Sequence, residues 1–249
     1  MPSTEPRSMN ILNKSNNYYY NTMMYHIVDH ENVGERSMPH AVGFCDKSIE
    51  EALHVHAWNI DLYSENKDDL MDLIPEDTPC KLTNRKTPVD YMDYSRSIVS
   101  LVAIVSQKVK NIFDDLKIRP KECLFRRILL KGFENDPYYI LFIPRIPNND
   151  VVLSKCDFCS TETYDLQNTV KFSSWDEARK AFPKFQINKI VLKKEYNNYD
   201  ILQPMMCIDP FYSERLVKEF ERENVVGYHI FRGWHFQNFF KPVLEFDIE

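Results

Sequence analysis

The sequence predicts an α+β protein, and three observations carry that prediction. Two amphipathic segments, roughly residues 97–117 and 213–223, repeat apolar residues at helical spacing. Short apolar runs near 125–131, 137–143, 150–153, 187–193 and 225–231 are bounded by turn residues. They read as strands of a mainly antiparallel sheet that the two helices cover on one face. The composition is that of a packed chain: 43% hydrophobic, 27% charged, with 16 Phe and 14 Tyr that a disordered chain would not carry. At 249 residues the chain lies between one large domain and two small ones. The polar, proline-marked stretch 63–91 places a boundary between an N-terminal layer or small subdomain (1–84) and an α+β domain (85–249).

Each element has a local reason. "YYYNTMMYHIV" (18–28) is aromatic and apolar and fits a first strand. "DKSIEEALHVHAW" (46–58) has Ser48 and Glu51 at capping-box spacing, which favours a short helix. Stretch 63–91 reads as loop with one possible short strand. Ile98, Leu101, Val102, Val105, Val109, Ile112, Phe113 and Leu116 keep helical spacing up to Pro120, which cannot continue a helix. "FRRILLK" and "PYYILFI" are adjacent strands joined by the turn residues of "GFEND". "DVVLSK" (150–155) is a third short strand. "SSWDEARKAF" (173–182) is a helix capped by Ser174 and Glu177. "DILQPMMCI" (200–208) is a strand interrupted by Pro204 and so placed at an edge. The aromatic tail after Gly233 folds back onto the core.

"SQKVKNIFDDLKI" (106–118) and "SERLVKEFERENV" (213–225) echo each other. Both have Ser first, Val or Leu three on, Phe seven on and Ile or Val twelve on. Two readings stand: the general likeness of amphipathic helices, or two copies of one helix–strand unit.

Charge and composition exclude some functions. The net charge of −6 disfavours nucleic-acid binding, which draws on Lys and Arg facing phosphates. It suits a soluble surface or a basic partner. With only 5 Gly, a phosphate-cradling loop is not expected, and no cofactor is expected. The polar N-terminus has no apolar signal-peptide core, and no apolar run of about 18 residues predicts a membrane span. Six cysteines without framework spacing fit free thiols, so a cytoplasmic location is expected.

The chemistry-bearing candidates are few. Cys156 and Cys159 form the one CxxC; a structural zinc needs two such pairs, so they are weak metal candidates. His54 and His56 share a face only in a strand and lack a third ligand. Asp61, Glu65 and Lys67 form an acid–acid–lysine set inside a solvated charge run. No catalytic residue is assigned, although a dispersed hydrolase-like site stays open as an alternative, as does a metal-bound structural module. The candidates for partner binding are Asp68, Asp69, Asp72 and Glu76 in "SENKDDLMDLIPED", and Trp234, Phe236 and Phe239 in the aromatic tail.

The stretches "DYMDYSRSIVSLVAIVSQKVKNIFDDL", "YYILFIPRIPNNDVVLSKCDFCS" and "IVLKKEYNNYDILQPMMCIDPFYSERLVKEFERENVVGYHIF" together resemble the Imm11-type, myxobacterial-type immunity proteins over about residues 85–232. Ser213 and Gly227 sit where the family pattern expects them, and Asp157 and Ser160 match its acidic position and following Ser. The CxxC around Asp157 and Pro204 within a strand depart from it. The resemblance implies a cytoplasmic antitoxin of a polymorphic-toxin or bacterial-competition system. Such a protein binds a cognate toxin domain and blocks it without catalysis, nucleic acid or membrane. It also implies that the strand–helix–strand unit near the C-terminus is scaffold.

Overall fold

A computed structural model describes residues 25–30, 41–57, 71–83, 87–94, 101–163, 165–205, 207, 209–231 and 242–248. The architecture is α+β, with strands dominant. The strands are β1 (Tyr25–His30), β2 (Ala41–Phe44), β3 (Thr78–Leu82), β4 (Tyr91–Tyr94), β5 (Leu101–Ser106), β6 (Leu124–Leu130), β7 (Tyr138–Phe142), β8 (Arg145–Ile146), β9 (Asp157–Ser160), β10 (Phe185–Lys193), β11 (Ile201–Pro204), β12 (Phe211–Ser213), β13 (Tyr228–Phe231) and β14 (Val243–Asp247). The helices are α1 (Lys47–Ala57), α2 (Gln107–Asp115), α3 (Trp175–Ala181) and α4 (Glu214–Arg222).

Most strand pairs are antiparallel, as the sequence predicts, but they divide among three sheets. Strands β2-β3-β6-β7-β5-β4 close a barrel. Strands β13-β1-β12-β11-β8 form an open sheet, and β14-β10-β9 a third. The last residues of the C-terminal tail return to the core, since β14 pairs parallel with β10; the tail's aromatic part, 232–241, lies outside the described residues. Strands from both sides of residue 84 share the barrel: β2 pairs with β4, and β3 with β6.

The long helix expected over 97–117 is a correction. Its described part is a strand, β5, running straight into the short helix α2. The apolar run satisfies both periods because both faces of β5 are buried. Ile104 joins the barrel interior, while Ala103 and Val105 face the helices. Ser106 marks the switch, its side chain accepting from Val109 N. Three smaller expectations also change. Residues 150–155 are two 3-10 turns (Asn148–Asp150 and Leu153–Lys155) around a single bridge at Val151. The first cap of α1 is Asp46, which accepts from Ser48 N and Oγ, so Ser48 donates. Strand β11 lies between β12 and β8, and Pro204 is tolerated because it is the last residue of that strand. The α3 cap is as predicted: Ser174 Oγ accepts from Glu177 N, and Glu177 accepts from Ser173 N and Oγ.

The barrel and the open sheet repeat one design. The order β2-β4-β5-β7-β6 is matched by β8-β11-β12-β1-β13, each with one parallel pairing followed by three antiparallel ones. Registers correspond as well. Tyr91↔Val105 matches Ile201↔Tyr212, and Ala41↔Asp93 matches Arg145↔Gln203. Strand β1, early in the chain, holds the place in the second unit that β7 holds in the first. Of the two readings of the internal echo, this is the two-copy one. Ser106 and Ser213 cap equivalent helices, and both helices end on a left-handed residue, Lys117 (φ 56) and Asn224 (φ 51). The next N–H in each case bonds back to a phenylalanine carbonyl, Ile118 to Phe113 and Val225 to Phe220.

The two helices pack on each other between the units. Phe113 and Phe220 lie 6.2 Å apart, and both are fully buried. Burying each such ring contributes about 1.5–3 kcal/mol. A second core lies inside the barrel, and a third under the β14-β10-β9 sheet.

Candidate interaction surface

Two carboxylates organise the junctions where each unit turns from strand to helix. Asp90 accepts from Ser106 Oγ at 2.8 Å, Lys108 Nζ at 2.6 Å and Val226 N at 3.1 Å. Its counterpart Asp200 accepts from Ser213 Oγ at 2.6 Å and from Arg215 in a two-pronged contact. Each cation also reaches across to the C-terminal carbonyls of the other helix: Lys108 to Asn224 O and Arg215 to Leu116 O. Glu122, almost fully buried, accepts from Arg119 and from the backbone N–H groups of Asp200 and Ile201. Buried acids of this kind can mark a reactive site. Here each is engaged by caps and cations that hold the fold.

The residues of the family pattern fall on this framework. Ser213 is fully buried and caps α4. Gly227 has φ +102, and a Cβ there would sit 2.2 Å from Tyr91 O, so only glycine fits. Asp157 and Ser160 lie on β9. Asp157 bridges Lys171 at 2.6 Å and Lys189 at 2.8 Å. Burial pushes its carboxyl up, but the two lysines more than offset this and hold it below the usual carboxylate range. Ser160 Oγ accepts from Glu162 N and shapes the turn that follows.

Cys156 and Cys159 are three residues apart on an extended stretch, so they project to opposite faces. Cys156 Sγ lies 3.4 Å from Val191 N and 3.5 Å from Val152 O. Burial pushes both thiols up, away from the thiolate that metal binding and redox chemistry need. Among the described residues no three His, Cys, Asp or Glu side chains gather as a ligand set. All six cysteines are free thiols.

Of the partner-binding candidates, Asp68, Asp69, Trp234, Phe236 and Phe239 lie outside the described residues. Asp72 and Glu76 face β6. Glu76 takes Arg126 Nη1 at 3.2 Å and Arg127 N at 3.1 Å, Asp77 pairs with Arg127 at 2.8 Å, and Asp72 stays largely exposed 3.9 Å from Arg126. The described part of the acidic stretch is therefore locally compensated rather than a bare negative stripe.

Two features escape the sequence reading. Tyr199 has two cations against its ring, with Arg119 4.4 Å and Lys121 4.5 Å from the ring centre. Arg145 on β8 is only 7% exposed. Among the described residues its Nε has no partner, and the guanidinium's hydrogen bond is a long 3.4 Å contact to Cys207 O. The signal for Arg145 was present in "FIPRIP", a cation inside an apolar run.

No protein-family model matches the chain, and no curated protein is significantly similar to it.

Proposed function

We propose that the chain is an immunity protein that binds a cognate toxin domain and occludes its active site. The observation that carries this reading is the role of the residues behind the Imm11-type resemblance. Ser213 caps a helix and Gly227 admits a backbone contact, so the shared pattern specifies a scaffold and leaves loops and sheet edges to vary with the partner. The engagement of the buried Asp200 and Glu122 and the half-buried Asp90 in caps and ion pairs supports the same reading, because it commits these three acids to architecture. Occlusion of a toxin needs an interface of about 1,200 Å² or more with a few buried anchors, and no catalytic group on this chain. No helix among the described residues is long and apolar enough to cross a membrane. The proposal places the chain in the cytoplasm of the toxin-producing cell.

The test is growth. The variable C-terminal domain of a large secreted protein encoded beside this chain is expressed with and without it. Rescue of growth by this chain, and not by an unrelated immunity protein, is the expected result. Killing that continues at matched expression overturns the proposal.

A further inference from the structure

We propose that Arg145 is the receptor of a small oxyanion, a carboxylate or phosphate group, at the β8 edge of the open sheet. A guanidinium is charged at every physiological pH and carries five donors arranged to grip two oxygens. Burying that charge without an anion is costly, and buried cations are ordinarily paired. Arg145 departs from this rule: it is 7% exposed, and among the described residues no carboxylate bridges to it, its Nε has no partner and Cys207 O is held only at 3.4 Å. Desolvation lowers its pKa, in keeping with a cation that lacks an anion nearby.

The repeat shows that the fold does not require this charge. In the first unit the position equivalent to Arg145 is Ala41, and its register partner is Asp93. In the second unit the register partner is Gln203, which is fully buried. At this register position the first unit sets an alanine opposite an acid, and the second sets a cation opposite a glutamine. Strand β8 is two residues long and ends the open sheet, so Arg145 sits on the sheet's edge strand rather than between two strands.

The experiment is thermal unfolding of the whole chain in increasing inorganic phosphate or acetate, with chloride at equal ionic strength as control. The expected result is a rise in Tm with phosphate or acetate beyond the chloride control, of about 3–5 °C per tenfold once the anion exceeds its Kd. A response to phosphate alone assigns a phosphate-bearing ligand, and a response to acetate alone a carboxylate. Arg145→Met, an apolar side chain of similar length, is expected to lose the response and to keep or raise the Tm in anion-free buffer. Gln203→Asp supplies an internal carboxylate and is expected to raise the anion-free Tm and abolish the response; it decides the matter if Arg145→Met does not fold. A wild-type Tm that tracks chloride, or the same anion response in Gln203→Asp, overturns the assignment.

Discussion

The hydroxyls of Tyr91 and Tyr212 lie 3.1 Å apart in the buried seam between the two units. One belongs to the barrel and the other to the open sheet, and either can donate. Burial pushes the Tyr212 phenol well above its ordinary value, and the neighbouring Tyr91 adds to this, so the Tyr212 hydroxyl stays neutral. Removing one hydroxyl leaves the other buried with a lost partner and costs about 1–3 kcal/mol, whereas removing both is nearly neutral. Tyr91→Phe and Tyr212→Phe should therefore each destabilise in urea, and the double variant should fall well short of their sum. Additive losses would show that the pair does not couple the units.

Gly227 and Gly132 make a matched pair of predictions. Both have positive φ, but a Cβ at Gly227 meets Tyr91 O at 2.2 Å and Val89 Cγ2 at 2.6 Å, while at Gly132 nothing lies within 4 Å. Gly132→Ala should cost about 1–2 kcal/mol from backbone strain alone. Gly227→Ala adds overpacking and should cost about 2–5 kcal/mol. Equal losses in denaturant melts would contradict the close approach.

The helix caps are equivalent in position but not in surroundings. Ser106 is half-buried and shares Asp90 with Lys108, whereas Ser213 is fully buried against Asp200. Ser106→Ala should cost about 1 kcal/mol. Ser213→Ala also strips a hydrogen bond from a buried carboxylate and should cost about 2–3 kcal/mol. Chemical unfolding of the two variants side by side reads the difference.

Acid should unfold the protein through Asp150 and Asp157. Burial pushes both carboxyls up, but Lys193 and Tyr196 at Asp150, and Lys171 and Lys189 at Asp157, hold both below the ordinary value. A depressed folded-state pKa gives stability that is present above about pH 4 and is lost as pH falls through the folded value. Asp157→Asn should lower stability at pH 7 and flatten its decline below pH 4. An unchanged slope would remove Asp157 from the acid response.

Thiol labelling checks the burial pattern. Cys45 is exposed and the other five cysteines are buried, with Cys80 pushed up to about 12, mainly by burial. Native protein at pH 8 should label rapidly at Cys45 alone, and at all six sites after unfolding. Fast labelling of Cys156 or Cys159 would contradict their packing.

What the sequence made legible was local. The capped helices at 174 and 213, the 124–130 and 138–142 strands and the echo between 106–118 and 213–225 all follow from periodicity and capping. The misread segment, β5, is a run whose two faces are both buried, and such a run satisfies a helical and an extended period alike. The split into three sheets depends on pairings between distant residues, such as β1 with β12 and β13, which no local pattern encodes. Arg145 stands in the sequence as a cation among apolar residues; that no carboxylate among the described residues pairs with it became visible only when Gln203, rather than an acid, appeared opposite it. Asp72 and Glu76 read as a charge run, and their compensation by Arg126 and Arg127 depends on tertiary packing.

The most direct measurement of the central claim is a titration of the purified toxin domain with this chain, following the toxin's own activity. The account predicts linear loss of activity to a sharp endpoint at one chain per toxin, with affinity weakened and less salt-dependent in the Asp68→Asn, Asp69→Asn, Asp72→Asn triple variant. Full toxin activity in the presence of a large excess of the chain would contradict it.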